Sequence, residues 1–576
     1  ISIMRIKHFF GLAVLAAMTA SCSSNNDLVN GGNGSGENES GVSYASFSIN
    51  LPTTSGTRAD GTPSGSPSFD NGDKNEYAVK DATLLLFKKD ATTGKFIFQE
   101  YVDLGNMEPW TSSSTSGITT TAKLTAKITK AEAGANKGYY ALIVLNNNSE
   151  TAPKITYPTE GQTYADWSKK ADNATADNYL KYDNGFFMAN APKYVADNTP
   201  ETLVEIKNIY ASKQEAENST ATTVYVERGL AKVSLASTSS EHVDISGGNY
   251  DGDKVDFRGG TLVVTNKKTF PVHVTDELWK DIWKTAVTPA ATNNAKMDRF
   301  HDTKLTEFPR VYWGADPNYK TNFASVADCE GEFTMATKAN FKTGEDAKKA
   351  QYCLENTFDI DHMVQGQTTR VLFSATYTPN GFNAGDTFYK MGNSSQLWNA
   401  TKVEAQIKAK AMEVLNETDA NKVEVILTGT DLAKAGIHLI TKANVKHGTA
   451  EISDADITAI NTKLGFKAAS GTDPMVGLST FESGVSYYVA RVKHFNELTP
   501  WNAGDKTYDS NNANWLGRYG VLRNNWYELS VNSVSGPGYP DVPKVKPTDP
   551  DDENDQYINV SVKILSWAKR TQKVDL

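Results

Sequence analysis

Residues 557–566, close to the end of the chain, read YINVSVKILS. Four apolar residues alternate with polar ones along this stretch: Ile558, Val560, Val562 and Ile564. Side chains two positions apart lie on the same face of a β-strand, so this alternation predicts a strand with one face in a core. An acidic segment with spaced prolines, 536–556, separates this strand from the preceding residues. The sequence therefore predicts a strand at the end of a loose linker.

Residues 43–52, SYASFSINLP, carry the same pattern near the other end of the chain. Their apolar positions are Ala45, Phe47, Ile49 and Leu51. A stretch rich in Gly, Ser, Thr and Pro follows and contains the pair Arg58–Ala59. Such composition is typical of a flexible linker exposed to proteases. Both ends are thus predicted to be strands joined to the body by linkers.

The composition of the 576 residues limits the classes of protein to consider. A hydrophobic content of 39%, with 10% aromatic residues, is enough to form cores. The formal net charge of −10 argues against a nucleic-acid partner, because no basic block offsets it. Short apolar runs between turn residues predict a mostly β protein.

The body of the chain is predicted to contain two β-rich regions that meet near residue 222. Residues 138–148, GYYALIVLNNN, form a continuous apolar run, which predicts a strand buried on both faces. A few helices are expected in the second region. One covers 401–415, and another begins after Ser453 as N-cap and stops at Gly465.

The N-terminus resembles a secretory signal. Basic residues precede the apolar run FFGLAVLAAMTASC, residues 9–22, which is too short to span a membrane. Its last four residues, TASC, resemble a bacterial lipobox, in which Cys22 would be the lipidated residue. An ordinary signal peptide with a chance cysteine is the alternative.

The other two cysteines, Cys329 and Cys353, have two interpretations. Outside the cytosol they could form a disulfide, and the alternative is a pair of unpaired buried thiols. Neither has the surroundings of a catalytic cysteine.

The sequence contains no spacing typical of a catalytic, cofactor or metal site, so no residue is assigned such a role and no enzyme activity is expected. Asp251, Asp253 and Asp256 could bind calcium, but they lack the glutamate and spacing of an EF-hand loop and are more typical of a turn.

Several of these features occur together in one family. The lipobox Cys22, the short strand before Arg58–Ala59, the stretch RNNWYELSV at 523–531 and the linker before a terminal strand resemble the Bacteroidales type V pilins. Within these FimA/Mfa-type fimbrial subunits, the major shaft subunit is the most similar. Residues 240–480 show no confident likeness.

The resemblance implies a fold of two tandem transthyretin-like β-sandwich domains with a few inserted helices and a C-terminal donor strand. The implied organisation is a signal peptide (1–22), a tether and first strand removed on maturation (23–58), an N-terminal domain (59–222), a C-terminal domain (223–535), and a linker with donor strand (536–576).

The resemblance also implies a function. The precursor would be an outer-membrane lipoprotein, cut after Arg58 by an Arg-specific protease. The groove left by the first strand would accept residues 557–576 of a neighbouring copy, which builds a surface fimbria that supports adhesion and biofilm formation. The implied partners are other copies of the chain, anchor and tip subunits, and unidentified surface receptors; no cofactor is implied.

Two alternatives remain open at this point. The chain could be a tip or anchor fimbrial subunit. It could also be a monomeric surface lipoprotein that binds glycan or another ligand, with its last strand folded onto its own sandwich. Trp501, Trp515 and Trp526 would then be candidates for stacking on sugar rings, although core tryptophans are more common.

Overall fold

The structure is a computed structural model. It describes residues 41–52, 74–107, 111–112, 118–148, 152–171, 174–182, 184–194, 200–235, 242–275, 311, 313–335, 337–338, 341, 349–470, 473–494, 517–549 and 558–566. The described helices are α1 (Lys74–Tyr77), α2 (Tyr164–Ser168), α3 (Ala176–Tyr179), α4 (Lys213–Asn218), α5 (Val326–Glu332), α6 (Ala400–Leu415) and α7 (Asp454–Lys463).

The N-terminal strands are β1 (Ser43–Pro52), β2 (Ala82–Lys89), β3 (Phe96–Gly105), β4 (Thr111–Ser112), β5 (Ile118–Ile128), β6 (Gly134–Ala135), β7 (Tyr139–Leu145), β8 (Met188–Asn190), β9 (Lys193–Tyr194), β10 (Pro200–Glu201), β11 (Val204–Glu205), β12 (Asn208–Ile209) and β13 (Thr222–Arg228). Their main sheet runs β3-β2-β7-β8-β13-β1-β5-β4, with β11 also paired to β7. β13 joins its two halves, because residues 222–225 pair with β1 and residues 226–228 pair with β8. Side chains from both halves share one core, so this N-terminal sheet folds over on itself.

The central strands of the N-terminal sheet are buried on both faces, as the continuous apolar run predicts. On β2, Leu84 and Leu86 point into the shared core, whereas Leu85 and Phe87 point to the opposite face. That second face is covered by the segment that carries α2 and α3, including Trp167.

The later strands are β14 (Leu230–Leu235), β15 (His242–Asp244), β16 (Lys254–Val263), β17 (Thr265–Asn266), β18 (Phe333–Thr334), β19 (Gln351–Leu354), β20 (Arg370–Thr378), β21 (Phe388–Met391), β22 (Leu397–Trp398), β23 (Val423–Val425), β24 (Gly436–His438), β25 (Val445–His447), β26 (Leu478–Phe481), β27 (Val485–Arg491), β28 (Asn525–Val534) and β29 (Ile558–Ser566). The sheets β19-β14-β28-β29 and β15-β16-β20-β27 pack face to face around one core and form the C-terminal sandwich. The mostly β fold class predicted from the sequence is confirmed.

A helical subdomain is inserted between β20 and β27, neighbouring strands of this sandwich. Helices α6 and α7 pack through Val403, Ile407 and Ile460 into a separate core with β21 and β26. Both helices confirm sequence predictions. Ser453 accepts a hydrogen bond from the Asp456 backbone N–H, and Gly465 follows the helix with φ +74°, which favours glycine.

The expectation of a loose linker after β28 is wrong for its first part. Residues 536–549, here called the strap, lie on the outer face of the C-terminal sandwich, where Tyr539, Val542 and Val545 pack against the cluster that contains Leu372. The neighbours of Leu372 on β20 point into the inner core, so the strap covers the opposite face of the same sheet. Glycine and proline predicted a loop but gave no sign that it would dock.

Candidate functional site

Strand β1 lies in the middle of the N-terminal sheet, and its apolar face is fully enclosed. Ala45, Phe47 and Ile49 are 0% exposed and Leu51 is 1% exposed, as the alternation predicts. The three large side chains alone represent roughly 5–9 kcal/mol of gross burial at about 1.5–3 kcal/mol each. The N-terminal core is therefore incomplete without β1.

Both edges of β1 are hydrogen-bonded to neighbouring strands. It pairs antiparallel with β5 along its whole length, from Ser43–Ile128 to Pro52–Ile118. It pairs parallel with β13 between Phe47 and Asn50. Removing β1 would leave two rows of unpaired backbone groups beside an apolar slot, which is costly until another strand fills it.

The segment around α4 contacts β1 at one edge and on its polar face. The backbones of Tyr44 and Tyr210 exchange two hydrogen bonds of 2.8 Å. Ser46 Oγ donates to the carbonyl oxygen of Ala216 at 2.7 Å, within α4. The seat of β1 is thus closed on four sides, by two strands, the core and α4.

Strand β29 has a very different position. It pairs antiparallel with β28, from Asn525–Ser566 to Val534–Ile558, with a bulge between Val531 and Ser533. β29 ends the strand order of its sheet as described, whereas β1 is an interior strand. Ile558, Val560, Val562 and Ile564 occupy the register positions opposite Val534, Val531, Leu529 and Tyr527. In the single chain, the last strand therefore extends the chain's own sandwich.

The three residues predicted for lipidation and cleavage, Cys22, Arg58 and Ala59, lie outside the described residues. The structure places the donor-strand residues on β29, which belongs to a different sheet from β1.

The disulfide alternative for the two later cysteines is wrong, because Cys329 and Cys353 are both free and buried. Cys329, on α5, packs in the cluster beneath the strap, and Cys353, on β19, packs in the sandwich core. Burial raises the pKa of Cys353 to about 12, so its thiol is neutral and unreactive at ordinary pH.

The calcium alternative is also not supported by the geometry, because each aspartate has a structural partner. Asp251 accepts from the Gly247 N–H. Asp253 is buried and accepts from the Tyr377 hydroxyl at 2.5 Å, and Asp256 lies 2.6 Å from His242 Nδ1. Within the described residues, no group of three or more His, Cys, Asp or Glu side chains could hold a metal ion.

Of the three tryptophans considered for sugar stacking, Trp526 lies within the described residues, and its ring does not form an open platform. Trp526 is half-buried, with the Lys232 ammonium 3.8 Å from its ring centre and its Nε1 donating to Ser234 Oγ at 2.6 Å. Trp501 and Trp515 lie outside the described residues.

A buried ionic cluster, missed by sequence reasoning, joins the N-terminal sheet to the C-terminal sandwich. His273 Nδ1 lies 2.8 Å from Glu227 on β13, and its Nε2 lies 3.3 Å from Glu355. Arg523 Nε donates to Glu355 at 3.0 Å, and all four side chains are at most 3% exposed.

The sequence contains one signal of this buried cluster, the charged pair Glu227–Arg228 inside the apolar run VYVERGLAKV. Since β14 begins just after β13, at Leu230, this cluster fixes the joint between the two sheet systems.

None of the described helices is long and apolar enough to cross a membrane. The architecture defines a mostly β protein with several sheets. The first and last described strands, β1 and β29, have the same alternation of apolar residues. They differ in position, because β1 is an interior strand of its sheet and β29 is at the end of its sheet.

Comparison with known families agrees with the resemblance seen in the sequence. Residues 479–573 match the family model described as the C-terminal part of fimbrillin, major fimbrial subunit protein type IV. The match covers β27, β28 and β29, the region that contains the predicted donor strand. It supports a fimbrial subunit located at the cell surface. Comparison with curated proteins gives no match.

Solved structures with low similarity include two candidate cell adhesion proteins. One, from Parabacteroides distasonis, has a TM-score of 0.37 at 10% identity and covers 92% of this chain and 99% of its own. The other, from Bacteroides eggerthii, has a TM-score of 0.33 at 12% identity, with coverage of 93% and 99%. A fimbrial assembly protein from Parabacteroides distasonis has a TM-score of 0.24 at 13% identity and covers 59% of this chain and 86% of its own.

Proposed function

We propose that the chain is the shaft subunit of a surface fimbria and that its copies polymerise by exchanging strands. Cleavage after Arg58 separates β1 from the body, and residues 557–576 of a neighbouring copy replace it between β5 and β13. The observation that carries this proposal is the contrast between β1, enclosed in the middle of a sheet, and β29, at the end of one.

The chemistry of the two strands supports the replacement. Both present four apolar residues with a period of two, so either can fill an apolar slot with one face. Strand addition supplies backbone hydrogen bonds for affinity and alternate side chains for register. Burying the four apolar residues of β29 in a neighbour contributes roughly 6–12 kcal/mol gross at about 1.5–3 kcal/mol each. The net gain is smaller, because β29 gives up its pairing with β28 of its own chain.

The strand pairings lost and gained give polymerisation its direction. While β1 is present, the seat is full and β29 remains on β28. Once β1 leaves, the neighbour's β29 gains pairing on two edges in exchange for the single edge that it has on β28. Cleavage therefore allows β1 to leave, and the second paired edge that the neighbour's β29 gains favours polymerisation.

The lipoprotein precursor is part of the same proposal. Lipid on Cys22 would hold the precursor at the outer membrane until cleavage releases residues 59–576 from lipid and β1 together. A diacyl or triacyl cysteine provides the two or more chains that stable anchoring needs. Labelling of the precursor with palmitate, and its loss in Cys22→Ala, tests this step.

One observation favours a second candidate function. Because β29 pairs with β28 of its own chain, a monomeric ligand-binding surface lipoprotein would need no exchange at all. Size-exclusion chromatography of the chain before and after Arg-specific cleavage separates the two functions. The shaft subunit becomes a polymer after cleavage, whereas the ligand-binding lipoprotein remains a monomer.

A further inference from the structure

The strap fixes the point from which the last strand leaves the subunit. Tyr539 and Tyr487 exchange backbone hydrogen bonds of 2.8 and 2.9 Å, and Lys338 Nζ lies 2.9 Å from Asp541. At the far end, the Gln365 N–H donates to the carbonyl oxygen of Asp549 at 2.9 Å. The strap is therefore bound to the subunit body at both ends.

The close packing of the strap leaves little room for it to shift. A Cβ placed on Gly366 would lie 2.8 Å from the carbonyl oxygen of Pro547 and 2.9 Å from its Cα. Val542 and Val545 pack in the cluster on the outer face of the sheet. Only residues 550–557 separate the strap from β29, and eight residues reach at most about 30 Å when fully extended.

A groove with an apolar lining lies beside this exit point. It has a cavity volume of about 750 Å³, between the strap, the inserted subdomain and β27, and Gln365 is part of its wall. Five large apolar side chains are exposed in the described part of the chain, and three of them line this groove: Val326 at 40%, Ile437 at 42% and Met475 at 37%. Exposed apolar side chains gathered in one place mark an interaction surface.

The charges of the lining also fit a second copy of the chain. The groove lining includes the cations Arg370, Lys390, Arg491, Lys544 and Lys546 and the carboxylate of Glu330. Arg370 and Arg491 are buried, and Lys546 lies 2.9 Å from Asp549, so the positive excess is smaller than this count. The whole chain has a net charge of −10, so this basic groove is complementary to the average surface of another copy.

We infer that this groove is the surface against which the strand-receiving copy packs. The inference rests on the proposed strand exchange. The neighbour's β1 seat must lie within about 30 Å of Asp549. This short reach places the receiving copy beside the groove, where Ile437 and Met475 become buried in the contact.

Adding a carboxylate to the groove tests the inference. Ile437→Glu and Met475→Glu change exposed side chains, so the fold is retained. Ala409→Glu, on an exposed position of α6 outside the groove, is the matched control. We expect each groove variant of the cleaved chain to elongate about tenfold or more slowly than the control, because the added carboxylate lowers the positive charge that favours an acidic copy and replaces an apolar side chain in the contact.

Binding of a synthetic peptide of residues 557–576 to the same cleaved variants tests strand exchange separately from packing at the groove. If the peptide binds none of them, including the wild type, strand exchange itself is wrong. If it binds all equally while the groove variants elongate at the rate of Ala409→Glu, the groove inference alone is overturned.

Oxidation of Met475 by peroxide provides a measurement on the unmodified protein. The side chain is exposed in the subunit and we expect it to oxidise more slowly in polymers than in monomers. Equal oxidation rates in the two states would overturn the contact.

Discussion

Replacing Phe47 with Ala weakens β1 in its seat without changing the residues that receive it. Phe47 is fully buried and lies opposite Leu124 on β5 and Thr222 on β13. A buried Phe→Ala change costs about 3–5 kcal/mol. At about 1.4 kcal/mol per factor of ten, release of β1 becomes about 10²- to 4 × 10³-fold more favourable.

The assay uses the uncleaved chain from residue 23 and a fluorescent peptide of residues 557–576. We expect the wild type to exclude the peptide, and Phe47→Ala to unfold at a lower urea concentration and to bind it. Ser48→Ala, on the half-buried polar side of β1, is the control and should behave as the wild type. The reasoning is refuted if Phe47→Ala loses stability and still excludes the peptide, because the weakened strand would then not be what blocks the seat.

Three further predictions concern the cleavage residue, the ionic cluster and one buried acid. Arg58→Ala should stop both cleavage and polymerisation, and N-terminal sequencing of wild-type fimbriae should begin at Ala59; fimbriae with an intact 23–58 segment would contradict it. Arg523→Met should lower the free energy of unfolding by about 3–5 kcal/mol, since Glu355 remains buried without its cation, and urea denaturation measures the loss. Burial raises the pKa of Asp316 to about 7, so the folded chain retains a proton between about pH 4 and 7 that the unfolded chain releases. The contribution of Asp316 to stability should therefore fall as pH rises through that window, and Asp316→Asn should remove this part of the pH slope.

Local patterns predict the strands and helices that carry regular signals. The period of two in 43–52 predicts β1 and its buried face, and the apolar run 138–148 predicts β7 buried on both sides. The capping residues Ser453 and Asp456 predict the start of α7. In each case the deciding interactions are within a few residues.

Features that depend on distant partners could not be predicted in the same way. The pairing of β29 with β28, the docking of the strap and the ionic cluster around Glu355 each join segments far apart in sequence. Composition made the strap look like a free linker, because nothing local shows that an outer sheet face needs cover. The spacing of Cys329 and Cys353 allowed a disulfide, whereas packing places them in different clusters.

The central claim is that the last strand of one copy fills the seat of β1 in another, and two incomplete versions of the chain test it directly. Residues 59–556 have an empty seat and no donor strand, while residues 23–576 have a donor strand and a filled seat. We predict that each alone is monomeric and that an equal mixture forms a one-to-one complex, measured by native mass spectrometry. In the second version, Val560→Asp with Val562→Asp should abolish the complex, because unpaired charges would enter an apolar slot, whereas Lys563→Asp on the opposite face should leave it intact. Absence of the complex with folded wild-type versions, or polymers formed by residues 59–556 alone, would contradict the account.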